Sequence, residues 1–350
     1  MESPSVNRQI RLRRRPQGRV CDGDFELVSE PIPRLRPGQA LVRNLVLSVE
    51  AASRIWVGHK RAFMPPVAIG DVMRGIGVGA VVDSRRADLQ VGDTVVGFLG
   101  WQQYCVADAS SLEAPLTVLP RPLPAPPSAF LGVMGHIGIS AYLGIDYLDP
   151  SPGLTLVVSA AGGGVGSLAG QLAKMRGARV VGIAGGQDKC RYVVQELGFD
   201  ACVDRNDPDW APLLDAATPN GIDLVFENVG GSVMDHILMR LTVGARVFLC
   251  GMAAHYNDDG AAAPSALVNI DQLHMQRASL RGFIVTDHLD RWPEAIDYLG
   301  EHWARGELVY CETKRYGLDQ AVPALCDLMA GTTRGKVVIE LAAPQVAQSG

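Results

Sequence analysis

Apolar and polar positions alternate in short runs through the first third of the chain, at Phe25 to Val28, Gln39 to Ser48, Gly75 to Val82 and Thr94 to Phe98. Turn residues separate them at Arg36-Pro37-Gly38-Gln39 and Val91-Gly92-Asp93, a pattern that predicts a β-rich domain. Prolines crowd residues 120–127 ahead of an apolar helical run from Ala129 to Tyr142, which places a domain boundary there. The period then changes. Strands at 154–160, 179–184, Ala201 to Val203, Asp223 to Glu227 and Ala245 to Cys250 alternate with helices at 164–176 and 188–197. Such alternation predicts an α/β fold with a doubly wound parallel sheet. The tail, with strands Tyr310 to Thr313 and Lys336 to Glu340 around a helix from Leu318 to Met329, is β-rich again and is expected to rejoin the first domain. The expected division is 1–127 with 304–350 as a β-rich domain, and 128–303 as the doubly wound domain.

At 350 residues, 47% hydrophobic and 20% charged, the chain can bury two modest cores, and disorder is excluded. The net charge of -5 argues against a general nucleic-acid surface, although Arg8, Arg11, Arg13, Arg14, Arg15 and Arg19 cluster near the beginning. No long apolar segment follows them, so they read as the charged face of a first strand and its turn rather than a secretory signal or membrane helix. Seven cysteines are scattered without a C-x-x-C pair, which points to a reducing cytoplasm and away from disulfides or a zinc clip. Gly58-His59 resembles part of a zinc-ligand motif, but Lys60 follows where that motif has glutamate, so no metal is expected.

The most informative segment is Leu156-Val157-Val158-Ser159 running into Ala160-Ala161-Gly162-Gly163-Gly164-Val165-Gly166. An apolar strand, a glycine turn and an amphipathic helix in that order form a seat for a dinucleotide pyrophosphate, with glycine allowing close backbone approach and the helix aiming free N–H groups at phosphate. At the end of the next strand, about 20 residues on, an NAD site presents Asp or Glu to the ribose 2′-hydroxyl. Here stand Gly185 and Gly186, followed by Lys189 and Arg191, cations suited to a 2′-phosphate. NADP(H) is therefore the expected cofactor.

Several blocks in order extend the reading: Asp24-Phe25-Glu26-Leu27, Gly70-Asp71-Val72-Met73-Arg74-Gly75, Gly100-Trp101-Gln102-Gln103-Tyr104, Gly170-Gln171-Leu172-Ala173-Lys174, Phe226-Glu227-Asn228-Val229-Gly230-Gly231, Cys250-Gly251 through Tyr256-Asn257, and Gly335-Lys336. Over nearly its whole length the chain resembles the zinc-independent medium-chain dehydrogenase/reductases of the leukotriene B4 dehydrogenase, prostaglandin reductase, alkenal double-bond reductase and curcumin reductase branch. The resemblance implies a GroES-like catalytic domain plus a Rossmann domain with the active cleft between them, a homodimer, and NADPH-dependent reduction of a carbon-carbon double bond conjugated to a carbonyl. It implies that Gly163, Gly164, Val165 and Gly166 hold pyrophosphate, that Gly185, Lys189 and Arg205 face the adenosine phosphate, and that Asn228, Cys250, Phe283, Ile284 and Val285 run past the ribose and nicotinamide, with Thr333 at the cofactor edge. Tyr256 is the expected catalytic phenol, and His136 a polar group on the pocket wall that could give a proton. Alternative readings for Asn228 (a turn former), Cys250 and the 283–285 triplet (core packing), Tyr256 (a loop-edge ring) and His136 (packing) stand beside these roles.

The chain also departs from the family. Glu50-Ala51-Ala52-Ser53-Arg54 and Phe63 stand where relatives carry pocket tyrosines, and Arg205 and Thr333 replace a tyrosine and an asparagine. A more apolar pocket alters substrate choice more readily than cofactor binding. A quinone reductase, an imine or iminium reductase acting on a specialised metabolite, and a non-catalytic NADPH-binding protein remain alternatives.

Overall fold

The computed structural model describes residues 6–58, 63–110, 116–258 and 267–341; His59 and Lys60 of the zinc-like motif lie outside them. The chain divides into two compact units, one of Met1–Leu131, Thr313–Ala330 and Val337–Gly350, the other of Gly132–Glu312 and Gly331–Lys336.

In the first unit β1 (Val6–Leu12) pairs antiparallel with β2 (Phe25–Pro31). The arginines that follow are used locally: Arg11 reaches Glu30, and Arg14 pairs with the buried Asp24 at 2.9 Å. The main sheet runs β14 (Glu312–Tyr316), β15 (Lys336–Glu340), β3 (Gln39–Val49), β4 (Ile76–Ser84), β5 (Thr94–Phe98) and β7 (Thr117–Val118), with β6 (Tyr104–Asp108) also paired to β3. As expected, the tail strand rejoins this unit: Val337–Glu340 lie antiparallel to Val46–Val49. The core gathers around Trp101, fully buried between Leu12, Leu47 and Met73, its indole N–H donating to the Ser48 carbonyl at 3.3 Å. A short helix, α1 (Ala52–Trp56), packs Trp56 into the same core.

The second unit is a six-stranded, all-parallel sheet in the order β10 (Ala201–Asp204), β9 (Arg179–Ala184), β8 (Thr155–Ser159), β11 (Ile222–Glu227), β12 (Leu241–Leu249), β13 (Ser279–Gly282). Because β8 is flanked by β9 and β11, the winding reverses between β8 and β11, and ligands in such sheets bind beyond the carboxyl ends of the strands at that switch point. Alternate side chains serve opposite faces. Cys202, Gly182, Val158, Phe226 and Phe248 share one register row and meet α2 (His136–Leu148), α3 (Gly164–Met175) and α4 (Gln187–Gln195). Val157, Val181, Val203, Val225 and Val247 form the opposite core with Leu214 of α5 (Trp210–Ala217) and Val233, Ile237 and Leu238 of α6 (Gly231–Met239). The remaining helices are α7 (Gln272–Met275), α8 (Trp292–Ala304) and, in the first unit, α9 (Ala321–Ala330).

Several elements differ from the sequence pattern. The run expected as one helix from Ala129 is a short 3-10 turn at Pro127–Leu131, and α2 begins only at His136. Glycine is the reason: a Cβ on Gly132 would lie 1.5 Å from the Tyr310 hydroxyl, so the chain there passes against that ring instead of coiling. The strand expected from Tyr310 starts at Glu312, and the 283–285 triplet lies beyond β13, with Val285 opening a 3-10 stretch to Arg291. The compact units meet at 131/132 and 312/313 rather than at 127/128 and 303/304. Residues 331–336 belong with the central sheet because Gly335 N–H donates to Gly162 and Lys336 N–H to Cys311.

Helix and sheet approach closely at Gly144 of α2, where an added Cβ would stand 2.4 Å from Phe226 and 2.6 Å from Phe248. Gly144→Ala should therefore destabilise the protein by about 1–3 kcal/mol through overpacking, read as a lower denaturation midpoint at unchanged slope.

Candidate functional site

Three loops meet the carboxyl ends of the central strands. The first is the glycine turn. Ala160 holds a positive φ of 51°, costly for a residue with a side chain and a mark of local constraint. Gly163 then accepts an extended conformation as the residue before α3, with no side chain capping the helix. Gly166 is required by packing, since a Cβ there would come within 2.5 Å of the Ala160 carbonyl. The uncapped N–H groups and the absent side chains leave a polar, positively biased seat at the start of α3.

The second loop follows β9. Gly185 and Gly186 carry no side chain, and the Arg205 guanidinium and Asn206 amide lie over Gly185, 3.2 and 3.6 Å from where its Cβ would be. Lys189 lays its stem over Gly162, 3.5 Å from where a Cβ there would be, and donates its ammonium to the Gly331 carbonyl, while Arg205 lies beside the same Gly331. Burial and the neighbouring Arg205 charge both depress the Lys189 pKa. The two cations thus converge with no carboxylate paired to Lys189 among the described residues, an arrangement that a bound dianion would relieve. Arg191 does not join them, because it pairs with Asp188 at the exposed start of α4.

The third loop lies beyond β11 and β12. Glu227, wholly buried, accepts hydrogen bonds at one carboxyl oxygen from Ser159 Oγ (2.9 Å), Val229 N–H (2.6 Å) and Gly230 N–H (2.7 Å). Ser159 Oγ in turn accepts from Asn228 N–H at 2.7 Å, and the Asn228 amide donates to the Ser159 carbonyl at 2.8 Å. The Glu227 carbonyl accepts from both Cys250 and Gly251. One acidic residue therefore ties together the ends of β8, β11 and β12. Its second oxygen is buried without a hydrogen-bond partner among the described residues, and desolvation raises its pKa above the ordinary carboxylate range.

Next to this node is an open groove of about 430 Å³ lined by Leu249, Cys250, Gly251, Met252, Tyr256, Gly282, Phe283, Ile284 and Asp287. Most of its wall is apolar. Tyr256 Oη accepts from Met252 N–H at 3.1 Å, and desolvation raises its pKa, so the phenol keeps its proton. The same desolvation pushes the Cys250 thiol up to about 12, which leaves it a neutral wall group.

Comparison with known proteins gives the geometry its context. Residues 8–114 match the family model for the N-terminal domain of oxidoreductases, and residues 164–301 match the model described as zinc-binding dehydrogenase. The NADPH-dependent curcumin reductase of Escherichia coli is 38% identical over 96% of this chain and 97% of its own. The NADP(+)-dependent 2-alkenal reductase of Nicotiana tabacum is 31% identical over 95% of this chain and 97% of its own. The crystal structure of CurA in complex with NADPH from Vibrio vulnificus superposes with a TM-score of 0.90 at 36% identity, covering 96% of this chain and all of that one. The chain belongs to the medium-chain dehydrogenase/reductase family.

In this medium-chain dehydrogenase/reductase, the residues singled out from sequence fall into three groups. Gly163, Gly164, Val165, Gly166, Gly185, Lys189 and Arg205 sit at the ends of β8, β9 and β10, with Thr333 on the 331–336 segment that Gly162 and Cys311 hold in place. Cys250, Tyr256, Phe283 and Ile284 line the groove; Asn228 adjoins it through Gly251, and Val285 follows Ile284. His136 is the first residue of α2, next to Ile137, which touches the turn at Gly164; it does not line the groove. Sequence reasoning passed over Asp287, Met252, Asn206, Ser159 and Glu227. Glu227 had one usable signal, an acid closing the otherwise apolar Leu224-Val225-Phe226 run at a strand's carboxyl end.

Glu227→Ala strands three buried donors and should cost at least about 3 kcal/mol. Because the folded carboxyl titrates above its unfolded value, the contribution of Glu227 is complete below the ordinary carboxylate range and is lost as pH rises through the raised value. Denaturation measured across pH should show this decline in the parent and a flatter profile in Glu227→Gln.

Proposed function

We propose that this protein is an NADPH-dependent reductase that saturates the carbon-carbon double bond of an α,β-unsaturated ketone or aldehyde. The observation that carries this reading is the Lys189 and Arg205 pair beside Gly185, where an NAD site would hold a carboxylate. The residues present fit the cofactor: glycines at the turn, an uncapped helix start, and two cations whose mutual repulsion a 2′-phosphate would offset. When bound, NADPH supplies the hydride received by the β-carbon. The chain's own residues then deal with the charge that develops on the carbonyl oxygen. Tyr256, protonated and aligned by Met252 N–H, donates its O–H to that oxygen in a groove whose apolar walls strengthen the interaction. Asn228, fixed by Ser159, and the backbone at 250–251, fixed by Glu227, border the same groove. The proton-donating role expected for His136 is kept in this proposal from the start of α2, outside the lining of the groove.

A second reading draws on Asp287. It is the one charged residue lining the groove, and a carboxylate there favours a cationic acceptor such as an iminium. We further propose a zinc-independent, cytoplasmic enzyme: among the described residues no three His, Cys, Asp or Glu gather to hold a metal, and none of the helices there is long and apolar enough to cross a membrane. The functional form is a homodimer. Among the described residues β13 ends the central sheet with an unpaired backbone edge, and Met239, Val243, Ile270 and Met275 in the elements that precede it are exposed.

NADPH absorbance followed against a panel of enones, alkenals, quinones and cyclic iminium salts should show turnover of the enones or alkenals. Turnover of quinones alone or iminium alone would replace that assignment, and NADPH binding without oxidation would make the protein a non-catalytic binder. Tyr256→Phe should lower kcat about 10²-fold with NADPH affinity unchanged, and His136→Gln should slow turnover at unchanged NADPH affinity. Lys189→Ala and Arg205→Ala should each weaken NADPH roughly 10- to 100-fold without affecting NADH. Light scattering should report twice the mass of one chain.

A further inference from the structure

Two cysteines that no part of the reductase reading uses face each other beside the phosphate end of the site. Cys202 on β10 lies in register with Gly182 on β9, so both point to the same face of the sheet. That face is the one covered by α4, since a Cβ on Gly182 would stand 3.0 Å from Val193 of that helix. Cys190 is one turn before Val193 on α4, buried on the same inward side, and α4 packs directly on β10, which brings the two thiols to the same helix-sheet seam. The surrounding chain is the phosphate site itself. Lys189 immediately precedes Cys190, Arg205 follows Cys202 by three residues, and between them Asp204 accepts from Gly186 N–H at 2.7 Å, joining the start of α4 to the end of β10.

We propose that Cys190 and Cys202 form an oxidisable dithiol whose disulfide weakens NADPH binding. The consequence for NADPH rests on the function proposed above; the dithiol itself does not. The oxidant is a peroxide. The Cys190 sulfur attacks one peroxide oxygen, the O–O bond breaks, and a sulfenic acid and one water form from hydrogen peroxide. The Cys202 sulfur then attacks the Cys190 sulfur; the S–S bond forms, the S–O bond breaks, and the hydroxyl leaves as a second water with the Cys202 proton. The proximity of the two sulfurs lowers the pKa of the Cys190 thiol and raises that of Cys202, which assigns the attacking role to Cys190 and the resolving role to Cys202. An S–S bond of about 2.05 Å is shorter than the contact distance of two unbonded sulfurs, so closing it draws α4 onto β10 and moves Lys189 relative to Arg205.

The test uses the full chain treated with hydrogen peroxide and with dithiothreitol, followed by peptide mass spectrometry and NADPH titration. The expected result is a cross-link between the peptides carrying Cys190 and Cys202, a rise in the NADPH dissociation constant of roughly 5-fold or more, and reversal by dithiothreitol. Cys202→Ser should bind NADPH as the parent does when reduced, form no cross-link, and accumulate a sulfenic acid on Cys190 trapped by dimedone. Failure to form the cross-link, or a cross-link that leaves NADPH affinity unchanged, overturns the proposal. A reduced chain that binds no NADPH would instead count against the reductase reading, with the cross-link still deciding the dithiol.

Discussion

The arrangement of the site depends on a carboxyl group buried where the central sheet changes direction. A carboxylate taken out of water carries a large desolvation cost, which is tolerable only if the group is neutralised or richly hydrogen-bonded. Glu227 meets that condition by gathering Ser159 Oγ and the Val229 and Gly230 amides on one oxygen. The loop after β11 consequently has little freedom. Asn228 is presented toward Gly251, and the backbone of 250–251 is drawn in by the Glu227 carbonyl, so the groove wall inherits its shape from an interaction outside it.

The two ends of the candidate site are electrostatically unlike. At the β9 and β10 end, the half-buried Lys189 lies beside the exposed Arg205, and the lysine pKa is lowered by burial and by that neighbour. At the β12 end the groove is apolar, its phenol and thiol both held protonated by desolvation, with Asp287 as its charged residue. An anion is stabilised at the first end, while a developing charge at the second meets a donor that does not ionise at neutral pH. A ligand with a charged tail and a neutral reactive head matches both.

The fold was legible because its signals are local and repetitive. Strands such as Arg179–Ala184 and Lys336–Glu340 are β-branched runs closed by turns, and the register between β8 and its neighbours follows from burial on both faces. The glycine turn and the missing acid at 185–186 could also be read directly, since both are statements about residue type at a fixed spacing. What stayed hidden depends on contacts distant in sequence. The break at Gly132 is set by Tyr310, the placement of 331–336 by Gly162 and Cys311, and the role of Glu227 by Ser159, 68 residues away. A lone acid at a strand end reads as surface until the donors around it are seen. The alternation of β6 (Tyr104–Asp108) went unread for a related reason: its pairing with β3, not its own composition, makes it a strand.

The six residues from Gly331 to Lys336 give the chain an uncommon indivisibility. Although their neighbours on both sides are counted with the terminal unit, they supply the carbonyl that receives the Lys189 ammonium and a bridge to the glycine turn at Gly163. A fragment cut to residues 132–312 would keep every strand of the parallel sheet yet leave that ammonium without its acceptor and the turn without its brace. The parallel-sheet unit is thus completed by sequence made only after the chain has left it for a strand and a helix of the other unit, so Lys189 gains its acceptor late in synthesis.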